Sequence, residues 1–140
     1  MSRARELFDR LRHGGTDALV ALIDDREPES FFLDFKRSED DGQGNKLGRS
    51  DNKNLSKAIS GFANASGGVL VWGVDCRRDP ASGSEVATPH RLVDAKGFET
   101  RLQSAVSRST IPAFGGVEFG AFPEAEGSLA GFVAMLVPQS

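Results

Sequence analysis

Apolar residues recur at helical spacing near the start of the chain, with Leu7, Phe8 and Leu11 on one stripe and Leu19, Val20, Leu22 and Ile23 on another. His13-Gly14-Gly15 between them is a helix stop, so the pattern predicts two short helices. The second is capped by Thr16 and ends at Asp24-Asp25-Arg26, ahead of Pro28. Period two takes over in residues 29–37, ESFFLDFKR, where Phe31, Leu33 and Phe35 alternate with Phe32, Asp34 and Lys36. That is a strand with one wholly apolar face and one face mixing a Phe with an acid and a base. Residues 38–52 hold one apolar residue and three glycines, which predicts a loop long for a compact domain, of the kind that is commonly functional or mobile.

Helical spacing returns from about Asp51 to Ala65, with Leu55, Ala58, Ile59 and Phe62 on one stripe, Lys53 and Lys57 one turn apart off it, and a glycine turn at Gly67-Gly68. The segment VLVWGVD, residues 69–75, is apolar on both parities and predicts a central strand covered on both faces. Residues 77–89 are polar and rich in Pro, Gly and Ser, and are expected to be loop. Asp94 caps a third helix running to about Ser109, with Phe98, Leu102, Ala105 and Val106 inward and Pro112 as its stop. Two strands, GVEFGAF and GFVAMLV, close the chain on either side of the acidic turn Pro123 to Ser128. The order of elements predicts one α/β or α+β domain with a small mixed sheet flanked by helices. A helical segment at 1–27 precedes the domain proper at 28–140. The chain stops at Val137-Pro138-Gln139-Ser140, straight after an apolar strand, an ending that fits either a natural terminus or a longer protein.

Composition narrows the chemistry. The chain has 140 residues, the size of one domain, and a single cysteine, which excludes an internal disulfide. With only His13 and His90 to add, a four-ligand Cys/His zinc cluster is excluded too. No apolar run approaches a membrane span and the start lacks a signal-peptide core, so the expected location is the cytoplasm, with no membrane partner. Against 17 Lys and Arg stand 20 Asp and Glu, a formal charge of −3, so any attraction to a polyanion must come from a local patch.

Three acids occupy places that packing does not require. Glu29 stands at the entrance of the first strand, Asp34 inside it among phenylalanines, and Asp75 at the carboxyl end of the central strand, where α/β sheets favour ligands. A carboxylate placed like Asp34 is costly unless paired, hydrogen-bonded or metal-bound, and Lys36 on the same face is the simplest partner. Glu29 and Asp34 are five residues apart and point to opposite faces of a regular strand, so they converge only if Glu29 precedes the strand or a bulge re-aims it. Converged with Asp75, they would make a hard, oxygen-rich site for Mg²⁺ or Mn²⁺, with Lys36 to hold a phosphate.

A basic constellation lies alongside. Lys36, Arg37, Lys46, Arg49, Lys53 and Lys57 outnumber Glu39, Asp40, Asp41 and Asp51 by six to four, and Arg77 and Arg78 follow Asp75 and Cys76. Such cations either track a phosphate backbone or simply form a solvated face. The Gly67-Gly68 turn lacks a P-loop ending, Cys76 has no well-placed histidine, and Trp72 reads as core.

The stretch ESFFLDFKRS, the helix ending in KAISGFANASGG, and VLVWGVD together resemble the Schlafen AlbA-like domain, also called the AlbA type two or divergent AAA-type domain. The resemblance covers roughly Pro28 to Asp75, and more loosely the third helix, Ile111-Pro112 and the final VPQS. It implies an α/β domain that binds RNA or DNA. Many bacterial members are described as DNA-binding domains ahead of winged-helix or ATPase-like regions in regulators or defence proteins. Animal Schlafens carry the domain in duplicate, and some cut tRNA and rRNA at a metal-dependent three-carboxylate site. Its acids match Glu29, Asp34 and Asp75, with Lys36 in the same motif. Here the second acid is Asp rather than Glu, one methylene shorter, and the Schlafen zinc motif is missing. A single domain also lacks the second lobe of the Schlafen RNA groove, which a homodimer would have to supply. The resemblance further implies that the chain continues past VPQS toward further strands, with a fused or partner C-terminal domain as a candidate partner.

Two functions follow. The first is a nucleic-acid-binding domain with metal-dependent endoribonuclease activity on structured RNA such as tRNA. Its catalytic residues are Glu29, Asp34, Asp75 and Lys36, its metal ligands are the three acids, and Arg37, Lys46, Arg49, Lys53, Lys57, Arg77 and Arg78 bind the nucleic acid. The second is a non-catalytic DNA-binding or assembly module of a transcriptional regulator or defence protein.

Overall fold

A computed structural model describes residues 3–24, 32–83, 85–108 and 116–139. Helix α1 (Arg3–Asp24) is followed by strand β1 (Leu33–Lys36), helix α2 (Arg49–Ala63) and strands β2 (Gly68–Trp72), β3 (Val74–Arg78) and β4 (Glu85–Pro89). Helix α3 (Ala95–Ser107) and strands β5 (Glu118–Pro123) and β6 (Gly131–Val137) complete the order.

Four strands form a mixed sheet in the order β1-β2-β6-β5, with β1 parallel to β2 and the other pairs antiparallel. The two inner strands, β2 and β6, are buried at every residue, as expected of strands covered on both faces. Side-chain alternation divides them between two cores. On one face Leu33, Phe35, Val69, Val71, Ala134 and Leu136 pack against Leu7, Phe8, Leu11, Leu19 and Leu22 of α1. On the other, Leu70, Trp72, Val133, Met135 and Val137 meet Leu55 and Ile59 of α2 and Phe98 and Leu102 of α3. The result is three layers, helix on sheet on helices, matching the mixed α+β architecture expected from the sequence.

The break expected at His13-Gly14-Gly15 is present as a kink inside α1, where Gly15 adopts φ 62° and ψ −145°. Thr16 does not act there as a simple cap: its hydroxyl donates to the Pro123 carbonyl (2.6 Å) and ties the second half of α1 to β5. Asp94 caps α3 as expected, accepting from the Gly97 N–H at 3.0 Å. Residues 77–89 differ from the expectation of a loop. β3 and β4 form an antiparallel hairpin in which Asp75 lies opposite Thr88 and Arg77 opposite Val86. Its inner face, Cys76 and Ala87, rests on the α1-side core, and its turn is closed by Asp79, whose carboxylate accepts from the Ala81 N–H and the Ser82 hydroxyl, both at 3.0 Å. No described helix is long and apolar enough to cross a membrane.

Candidate nucleic-acid interface

β1 is an edge strand, so only one of its long sides is paired, and alternation turns Asp34 and Lys36 away from the α1 core that Leu33 and Phe35 enter. The register sets Asp34 beside Leu70 and Lys36 beside Trp72. Lys36 Nζ lies 3.8 Å from Asp34 Oδ2, so the simple same-face pairing exists. It leaves the other oxygen unsatisfied: Asp34 Oδ1 is buried with no hydrogen-bond partner, as is Trp72 Nε1.

Asp75 reaches its place through a change of side-chain parity at Gly73. Odd residues of β2, Val69 and Val71, enter the α1-side core, and unbroken alternation would send Asp75 there too. Gly73 has φ 104°, and a Cβ on it would lie 2.8 Å from the Phe132 ring. Past that kink it is Val74 and Cys76 that join the α1-side core, while Asp75 turns outward. The Gly73 N–H donates to the Lys36 carbonyl (2.8 Å), which fixes the kink against the end of β1.

Outward of the hairpin lies a cleft of about 620 Å³ lined by Arg37, Asp75, Arg77, Arg78, Asp79, Pro80, Val86, Thr88 and His90. The Asp75 carboxylate is bound by Arg77 Nε at 2.7 Å. Arg37 makes a two-point contact with Asp41, at 3.0 and 3.1 Å. That hydrogen-bonded contact, aided by the charges of Asp41 and Asp75, holds the Arg37 guanidinium above its usual value. Arg78 has no carboxylate within ion-pair distance among the described residues.

Glu29 lies outside the described residues, so two of the three sequence-matched acids can be placed. Each of those two sits against its own cation, and among the described residues no three Asp, Glu, His or Cys side chains converge into a metal-holding group. The described donors therefore do not form a metal centre. Among the described residues, Asp34 Oδ1 is the one buried carboxylate oxygen without a hydrogen-bond partner.

The long segment after β1 is held by carboxylates that the sequence reading passed over. Asp40 accepts from the Gly42 and Gly44 N–H groups at 2.9 and 3.0 Å, and Asp51, in the first turn of α2, accepts from the Glu39 N–H (3.0 Å) and lies 2.7 Å from the Ser38 hydroxyl. Glu39 in turn accepts from the Ser50 N–H (2.8 Å), so segment and helix cap each other reciprocally. The available signal was an acid at the third helical position with a Ser-Glu-Asp run upstream, and Asp followed by Gly at the second and fourth places. The segment delivers the chain to a basic stripe. Arg49, Lys53 and Lys57 are four residues apart on the exposed side of α2, hence about 6 Å apart along its axis, and Lys46 precedes them. All four are exposed, with no carboxylate in ion-pair range among the described residues.

The layered mixed sheet, with cations gathered along one hairpin and one helix, defines an α+β domain of the AlbA type. The chain belongs to the Schlafen, AlbA_2 family, whose family model matches residues 29–124. The fold is also similar to the solution NMR structure of the N-terminal domain of a protein from Nitrosomonas europaea, described as related to the ATP-dependent DNA helicase RecG. That similarity has a TM-score of 0.54 at 21% identity, and it covers 100% of this chain and 75% of that one. No curated protein matches the chain.

Proposed function

We propose that this domain binds nucleic acid along its phosphate backbone. The carrying observation is the unneutralised stripe of Arg49, Lys53 and Lys57 with Lys46 ahead of it, while Arg37 and Lys36 are already matched by carboxylates. Free cations at phosphate-like spacing release counterions from a polyanion, which favours binding despite a negative total. Family membership supports the same reading. Fluorescence anisotropy with a labelled DNA duplex and a tRNA-like hairpin should give affinities that fall with salt, and each of Arg49→Ala, Lys53→Ala and Lys57→Ala should reduce the slope by about one. Absence of binding at low salt, or a triple variant that binds like the parent, overturns the reading.

A second reading, metal-dependent endoribonuclease activity on structured RNA, is favoured by the orphaned Asp34 Oδ1, since a buried carboxylate oxygen without a donor suits a cation. The resemblance supplies Glu29 and Asp75 as further ligands and Lys36 as the phosphate-holding base. Incubation with tRNA and Mn²⁺ tests it. Cleavage lost in Asp34→Ala and in Asp75→Ala supports the reading, whereas no cleavage, or cleavage indifferent to both, leaves binding alone.

A further inference from the structure

We propose that Ser38, Asp40 and Asp51 form a proton-controlled latch that sets the segment between β1 and α2, because one hydroxyl is shared by two carboxylates and cannot serve both unless one of them carries a proton. Ser38 Oγ lies 2.7 Å from Asp51 Oδ2 and 3.1 Å from Asp40 Oδ1. A serine hydroxyl has a single hydrogen to donate. With both acids ionised, that hydrogen goes to one oxygen, and the other contact becomes two lone pairs facing each other. When Asp51 binds a proton on Oδ2, its O–H donates to Ser38 Oγ and the Ser38 hydrogen turns to Asp40. Both contacts are then hydrogen bonds, at the cost of one proton taken from solvent.

The surroundings favour this direction. Asp51 is only 1% exposed and has no cation within ion-pair distance among the described residues. Burial, with the neighbouring charges of Glu39 and Asp40, raises its carboxyl above the ordinary value against the lowering effect of Ser38 and the Glu39 N–H. The groups facing it are Glu39 and Asp40 from the segment. On the far side of Asp40, Arg101 of α3 donates to the Gly42 carbonyl (3.1 Å) and helps keep Asp40 ionised. Two neighbouring acids thus have opposed tendencies, one to take a proton and one to refuse it, with a hydroxyl between them.

The latch spans an element boundary. Asp40 anchors the Gly42 and Gly44 N–H groups, Asp51 belongs to α2, and Lys46 and Arg49 lie between them in the chain. Proton uptake by Asp51 therefore tightens the segment that carries Lys46 to the start of the basic stripe. This latch is independent of what the stripe binds.

Amide NMR of the intact chain over about pH 2 to 8 tests it. The Gly42 and Gly44 N–H signals should titrate in two steps, the lower belonging to Asp40 and the upper, above 3.8, to Asp51. Asp51→Asn, whose amide donates to Ser38 permanently, should remove the upper step. Ser38→Ala should keep an upper step at the Glu39 N–H but lose it at Gly44, the diagnostic site, because the Gly42 N–H also donates to Ser38 Oγ (3.3 Å) and loses that partner in the variant. Hydrogen-exchange protection of these two glycines, corrected for intrinsic rates, should be about fivefold higher on the acid side of the upper step, the effect of one net hydrogen bond. A single low step in the parent, or an upper step at Gly44 that survives Ser38→Ala, overturns the latch.

Discussion

A buried carboxylate with no cation is retained through its hydrogen bonds, and Asp51 draws on a backbone N–H and a hydroxyl from 12 and 13 residues upstream. Removing the acceptor strands the Glu39 N–H and costs roughly 1–3 kcal/mol. Urea denaturation of Asp51→Ala should show a loss of that size, while Asp51→Asn, which keeps an acceptor and adds a donor, should retain most of the stability. The same residue marks a limit of sequence reading. The Asp34–Lys36 pair is legible because two positions on one strand face share a side, whereas the Ser38–Asp51 contact depends on how a glycine-rich segment folds back on a helix. Patterning offers no period for that.

Among the described elements, α1 supplies the helical cover of one sheet face, with Phe8, Leu11, Leu19 and Leu22 almost fully buried there. Its kinked halves were legible from two apolar stripes and a glycine pair. Phe8→Ala should therefore cost about 3–5 kcal/mol by chemical denaturation. A loss under about 1 kcal/mol would mean that α1 is dispensable to the fold. The hairpin of β3 and β4 was not legible, for a physical reason. Only one face of it touches a core, and beyond Val74 it does so through residues as small as Cys76 and Ala87, so the alternation of Val74 and Cys76 with Asp75 and Arg77 is too short to announce it. The hairpin nonetheless brings Arg77, on its outer face, and Arg78, at the end of β3, to the cleft with Arg37. Cations noticed as a run in sequence thus prove to be two sets, one on the hairpin and one on α2.

For the whole molecule, the charge of −3 describes little, because many acids are spent on specific partners: Glu118 on Arg5, Glu124 on Arg91 and Glu99 on Lys96. The Glu118 attachment, like Asp40, responds to pH in the opposite sense to Asp51. Asp51 lies above the ordinary 3.8 in the folded chain, so its contribution is complete below that value and is lost as pH rises through the folded one. Glu118 is held below the usual 4.5 by its hydrogen bonds from Arg5. Asp40 is pushed up by burial but brought below 3.8 by the Gly44 and Gly42 N–H groups, Ser38 and Arg101. Contributions of that kind are complete above the ordinary values and are lost as pH falls through the folded ones. The exposed Glu118 pair carries little weight, within about 1 kcal/mol. Thermal melts from about pH 3.5 to 8 should thus show a decline as pH rises through the folded Asp51 value, which lies above 3.8, and Asp51→Asn should flatten that decline. A decline that is unchanged in Asp51→Asn would contradict the assignment.

The kink at Gly73 also decouples two parts of the chain. Because side-chain parity is reset there, an inserted or deleted residue in the hairpin would not invert the alternation that packs β2 between its two cores. Lengthening or shortening the ribbon beyond Cys76 and Ala87, whose neighbour Val74 is fully buried in the core, is consequently open to the fold at small cost to the sheet. The outer end of the hairpin, where Arg77 and Arg78 stand, can therefore change length while the layers beneath stay the same.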